Sequence, residues 1–146
     1  HNIEIINGSV SGSTSAGGLN IAEWTLSENN IDLMILCLGA NDMLRGINPK
    51  ETKNNLEEII EIAKNKNIKV IIAGMIAPTS YGYAYKKSFD KIFSDLSKKH
   101  KLQLIPFLLE GVAQKPEFNL SDGMHPNDQG TIIIGNTLKK AILENL

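Results

Sequence analysis

Asp122 and His125, in the run Asp122-Gly123-Met124-His125-Pro126, are the pair in this chain best suited to chemistry. If the carboxylate accepts from one ring nitrogen of the imidazole, the other nitrogen is free to act as a base. A base of this kind serves a nucleophilic hydroxyl. Gly8-Ser9-Val10-Ser11-Gly12 superficially suggests a nucleophile elbow, yet Val10 stands where that motif needs serine. Ser9, Ser11 and Ser13 stay open as nucleophiles outside that motif. The competing reading of the pair is an aspartate that caps a turn beside an exposed histidine.

Other segments supply groups that suit such a base. The Asn7–Ser15 stretch is rich in glycine and serine. Gly12 lets a backbone N–H approach a ligand without a Cβ in the way, although a plain serine-rich turn explains the composition equally well. No phosphate-cradling glycine fingerprint is present. In Gly39-Ala40-Asn41-Asp42, Asn41 offers a neutral donor to a developing oxyanion, while Asp42 is expected to cap or brace the following turn. Arg45 either contacts a polar head group or bridges to a nearby acid. Tyr81, Tyr83 and Tyr85 either line an acyl groove or pack on the surface.

These groups need a scaffold. Ile3–Ile6, Leu33–Leu38, Val70–Ile76 and the shorter Leu102–Phe107 are nearly continuous apolar runs, as buried parallel strands require. Asn48, Pro49 and Glu51 form a helix start, and Leu56, Ile59, Ile60 and Ala63 follow at helical spacing. A second apolar stripe carries Tyr85, Phe89, Ile92, Phe93 and Leu96, and a last helix begins near Asn127 or Asp128. The alternation predicts right-handed β-α-β units in a three-layer α/β/α domain spanning 1–146. In such sheets ligands bind beyond the carboxyl ends of the strands, where all the candidate loops fall.

Bulk properties narrow the function classes. The net charge is −1, with no basic stripe, which argues against a charge-driven nucleic-acid or membrane-surface role. Aromatic residues make up 5%, too few for extensive stacking platforms. No apolar stretch approaches the ~20 residues that span a bilayer. The single cysteine, Cys37, sits in an apolar run and reads as a small core residue. His1 and His100 read as solvated. Compartment and oligomeric state are left open.

Taken together, the blocks resemble the SGNH (GDSL-type) hydrolase family, in particular its bacterial thioesterase/arylesterase/lysophospholipase branch. Asn7 to Gly12 resembles the family's second block, Gly39-Ala40-Asn41-Asp42 its third (G-x-N-D), and Asp122 to Pro126 its fifth (D-x-x-H-P). The third block continues as in Met43-Leu44-Arg45-Gly46, and a loop like Pro78 to Gly82 follows a later strand. The resemblance implies a flavodoxin-like sheet of order 2-1-3-4-5 and hydrolysis of acyl esters or thioesters by a serine. His125 would be the base, Asp122 its orienting partner, and Gly12 and Asn41 oxyanion donors. Arg45, Tyr81 and Tyr85 would lie on the substrate side, and no metal or organic cofactor would be needed. The family's Gly-Asp-Ser block lies about thirty residues before the second block, the size of a strand, a helix and their connections. Only eleven residues precede Gly12, and Gly-Asp-Ser is not among the 146. The expectation is a domain without its first strand and nucleophile, inactive by itself. Two alternatives are a non-catalytic module that binds acyl or acetylated ligands and a flavodoxin-like signalling or nucleotide-binding domain.

Overall fold

Asn48 opens the longest well-signalled stretch of the chain: its side chain accepts from the Lys50 N–H, and Pro49 takes the first helical position. The computed structural model describes residues 2–27 and 30–146, so His1 lies outside the described residues. The elements in order are α1 (Ser15–Thr25), β1 (Leu33–Leu36), α2 (Ala40–Leu44), α3 (Pro49–Asn65), β2 (Lys69–Ala73), α4 (Gly82–His100), β3 (Gln103–Ile105), a 3₁₀ turn (Pro116–Phe118) and α5 (Asp128–Leu143).

The strands form a parallel sheet in the order β1-β2-β3, with Met34 opposite Val70 and Ile72 opposite Leu104. Side chains alternate across β2. Val70 and Ile72 join the main core with Leu36, Leu56, Ile60, Phe89 and Leu96, whereas Ile71 packs with Ile105 and with Ala141 of α5. Helices α1, α3 and α4 therefore share a core with one face of the sheet, and α5 packs on the other. The expected α/β architecture with helices flanking a parallel sheet is present, and its strands are shorter than their apolar runs.

Two expectations fail at the same place. Ile3–Ile6 is not a strand: residues 2–10 have no regular secondary structure, and Ile3, Ile5 and Ile6 are exposed, Ile5 by 80%. Cys37, directly after β1, is exposed rather than buried in the core. Among the described residues, β1 is paired only with β2. An apolar run becomes a buried strand only when partners satisfy its backbone and cover its side chains, and this side of the sheet supplies neither. A third expectation fails at the far end of α4. His100 is not solvated; its side chain is 9% exposed and its Nε2 lies 2.6 Å from Glu57 Oε1 on α3.

Candidate active site

The loop that carries Asp122 and His125 is closed at its neck. Leu120 N–H donates to the His125 carbonyl (2.7 Å), and Asn119 bridges Pro126. Below the neck, buried Asn119 donates its amide to the Val112 and Lys115 carbonyls. Asn127 caps α5 by accepting from Gly130 N–H and donates to the Glu117 carbonyl. Gly130 is required because a Cβ there would lie 2.2 Å from the Phe118 carbonyl oxygen. Asn119 and Asn127 are the residues that hold this loop to the fold. Only the cap was visible in the sequence, because an asparagine anchor has no spacing rule.

Within the loop, Asp122 Oδ2 lies 2.6 Å from His125 Nδ1, and Oδ1 accepts from the N–H groups of Met124 and His125. The His125 N–H, the His125 ring and the Met124 N–H, in that order, hold the carboxyl down to about 2. Asp122 is thus a carboxylate at neutral pH, and its contact is with Nδ1, which leaves Nε2 as the free ring nitrogen. The His125 side chain is 69% exposed.

The second group of candidate residues gathers around α2. Asn41 Nδ2 donates to the Ser13 carbonyl (3.1 Å), which fixes the amide beside the Gly12 loop and leaves its second N–H. Gly12 adopts φ +73°, with open space where a Cβ would stand, and its carbonyl accepts from Arg45 (3.2 Å). Tyr81 Oη donates to the Leu44 carbonyl, and Tyr85 Oη to that of Ile47. The Tyr85 ring stacks on Phe89 in the core, and burial pushes its phenol up. Both tyrosines therefore brace the turn after α2, and Arg45 bridges to a backbone carbonyl rather than to an acid.

Asp42 does more than brace its own turn. Fully buried, it accepts from Ser15 N–H (2.7 Å), from Ser15 Oγ, and from Thr52 Oγ1 (3.0 Å), while Asn55 donates to Ser15 Oγ. One carboxylate thus pins the N-termini of α1, α2 and α3 together beneath the Gly12 loop. The sequence pointed to Asp42 but gave no sign of Ser15, Thr52 or Asn55. No hydrogen bond among the described residues joins this group to the His125 loop.

Elsewhere, Glu57, Glu61 and His100 bring potential ligand atoms within 4.8 Å of one another. Lys99 Nζ already sits 2.6 Å from Glu57 Oε1, and Lys99 followed by His100 lowers the Glu57 carboxyl. The cluster is an ion-paired tie between α3 and α4. Among the described residues, no helix is long and apolar enough to cross a membrane.

Residues 1–131, which include every group above, match the GDSL-like Lipase/Acylhydrolase family. The chain belongs to that family. An arylesterase of Vibrio mimicus is 35% identical over 144 residues, covering 99% of this chain and 72% of the relative. Thioesterase 1/protease 1/lysophospholipase L1 of Escherichia coli K12 is 32% identical over 138 residues, covering 94% of this chain and 66% of the relative. The crystal structure of TesA superposes with a TM-score of 0.93 at 31% identity, covering all of this chain and 81% of that one. The chain therefore lies in the thioesterase and arylesterase branch of the GDSL/SGNH hydrolases and spans about two thirds of its curated relatives' length.

Proposed function

We propose that this chain is the greater part of a serine hydrolase of acyl esters or thioesters, whose nucleophile lies on a segment outside these 146 residues. The observation that carries the reading is the contact between Asp122 Oδ2 and His125 Nδ1 at 2.6 Å, which leaves Nε2 free and exposed. In the complete enzyme Nε2 takes the proton as the serine hydroxyl attacks the carbonyl carbon. The negative charge on the tetrahedral oxygen is met by Gly12 N–H and by the second N–H of Asn41. On collapse the leaving alcohol or thiol takes the proton from Nε2. Water, deprotonated by the same nitrogen, then releases the acid. Asp122 keeps the tautomer correct throughout. No metal or organic cofactor takes part in these steps.

Arg45 and Tyr81 lie on the substrate side of this arrangement, with Tyr85 as the wall behind them. Arylesterase, thioesterase and lysophospholipase are the activities that the relatives' names carry. Acyl esters and thioesters of small molecules are the substrate class for this chain.

The reading is tested with p-nitrophenyl acyl esters. The 146-residue chain alone is expected to leave them intact. The same chain joined to an upstream segment bearing Gly-Asp-Ser is expected to hydrolyse them, and His125→Ala should abolish that rate. A joined enzyme that keeps its rate after His125→Ala contradicts the assignment.

A further inference from the structure

The turn that presents Gly12 hangs from the rest of the fold by two side chains. Ser13 N–H donates to the Val10 carbonyl (3.2 Å) and closes a four-residue turn with Gly12 at its third position. Gly12 takes φ +73°, and Ser11 is not among the residues of positive φ. Those are the marks of a type II turn, whose third residue must enter the left-handed region and so favours glycine. The N–H of the central peptide, which is that of Gly12, has no acceptor among the described residues. It is free for a ligand.

Among the described residues, only two hydrogen bonds join residues 2–13 to anything beyond Thr14, and both come from α2 and the residue that caps it. Asn41 Nδ2 donates to the Ser13 carbonyl (3.1 Å), and Arg45 Nη2 to the Gly12 carbonyl (3.2 Å). Four residues apart, the two side chains rise from one face of a helical turn and grip successive carbonyls. The arginine takes the peptide that closes the Gly12 turn. The N–H of that peptide already holds Val10, and the guanidinium holds its oxygen. The base of the arginine is fixed as well. Its own N–H is shared between the Asn41 and Asp42 carbonyls (3.1 and 3.2 Å). On one side of it Tyr81 Oη bonds the Leu44 carbonyl, and on the other a Cβ at Gly46 would lie 2.8 Å from Tyr81 Cε1.

We propose that Arg45 is a positioning residue: its guanidinium clamps the Gly12–Ser13 peptide, and so aims the Gly12 N–H at the reacting oxygen, rather than serving as the ligand of a polar head group. The reaction that Gly12 serves rests on the hydrolase reading; the clamp on the turn does not. Without Arg45 the turn keeps one tie, at Ser13, and the peptide beside the oxyanion donor is free to rotate. A displacement of about 1 Å in such a donor costs on the order of 10²-fold in rate.

The test uses the chain joined to its upstream nucleophile segment. The substrates are p-nitrophenyl acetate, which is neutral, and p-nitrophenyl hemisuccinate, whose acyl group carries a carboxylate. Arg45→Ala should lower kcat by about 10- to 100-fold on both esters and leave KM within about twofold of the parent. Exchange of the Ser13 amide, followed by NMR, should quicken about fivefold or more in the same variant, with the urea midpoint unchanged. Added guanidinium ion at a non-denaturing concentration should raise the kcat of Arg45→Ala and not that of the parent. Arg45→Lys keeps one cationic donor and should fall between the two.

A rise in KM confined to the hemisuccinate, with kcat intact, makes Arg45 a substrate ligand and overturns the proposal. So does an Arg45→Ala enzyme with the parental kcat, or one whose kcat falls while Ser13 exchange is unchanged. A joined chain that is inactive with Arg45 in place sinks the hydrolase reading instead. Ser13 exchange then decides the clamp by itself: faster exchange in Arg45→Ala upholds it, and unchanged exchange overturns it.

Discussion

Asp42 is held by residues 10 and 27 positions away in sequence, whereas among the described residues Asp122 bonds only to residues two and three positions away. The first is fully buried and sits where three helices begin. The second is exposed, in a loop closed on itself. Both carboxylates accept three hydrogen bonds, yet they do different work. In a low-dielectric interior, each donor left without its acceptor costs the full desolvation of that group. Asp42 therefore couples the geometry beside Gly12 and Asn41 to the stability of the whole fold. Asp122 orders one imidazole, and water replaces it readily. The fold itself keeps the Gly12 and Asn41 side rigid, while the contact between Asp122 and His125 is shaped by bonds within its own loop.

That contrast is open to test with the chain joined to its nucleophile segment, and the largest effect belongs to the exposed loop. His125→Ala should lower kcat by about 10⁴-fold or more and leave the urea midpoint unchanged. A large shift in the midpoint would mean that the loop is structural after all. Asn41→Ala should cost roughly 10²–10³ in kcat with little change in KM, as loss of one oxyanion donor does. An equal loss expressed in KM would move Asn41 from transition-state stabilisation to ground-state binding. Asp42→Ala should destabilise the fold by about 3 kcal/mol, through three donors left buried and unpaired. Asp122→Ala should shift the denaturation curve far less than Asp42→Ala does, and if the two variants unfold alike the comparison fails.

The smallest effect is in pH dependence. The folded carboxyl of Asp122 is depressed to about 2. Its contribution is therefore full above the ordinary aspartate value near 4 and is lost as pH falls towards 2. The carboxyl carbon shift of Asp122, followed by NMR, should show protonation of that carboxylate centred well below pH 4. A midpoint near 4 would mean that the two backbone donors do not hold the carboxylate.

Much of this arrangement was legible before the fold was known, and the exceptions share a cause. The helix from Pro49 could be read from Asn48, Pro49 and the stripe Leu56–Ile59–Ile60–Ala63, because caps and periodicity are local signals. The Asp122–His125 contact was likewise legible, since its partners are three residues apart. No helix was read over Ser15–Thr25, where Gly17 and Gly18 hide the pattern. A Cβ on Gly18 would meet Leu38 Cδ1 at 2.2 Å, the tip of a side chain that can turn aside. The buried ties from Asp42 to Ser15 and Thr52, and the half-buried one from His100 to Glu57, were invisible because their partners meet only in three dimensions. Ile3–Ile6 and Cys37 show the same limit from the other side. Composition reports that a segment suits burial, and only the neighbouring strand decides whether burial happens.

The central claim is that the base and oxyanion donors lie within these residues and the nucleophile lies outside them. Covalent labelling of the upstream-joined chain with a fluorophosphonate, followed by mapping of the adduct, tests it most directly. The account predicts a single adduct on the serine of the added Gly-Asp-Ser segment, and none on the 146-residue chain alone. An adduct on Ser9, Ser11 or Ser13 would contradict it.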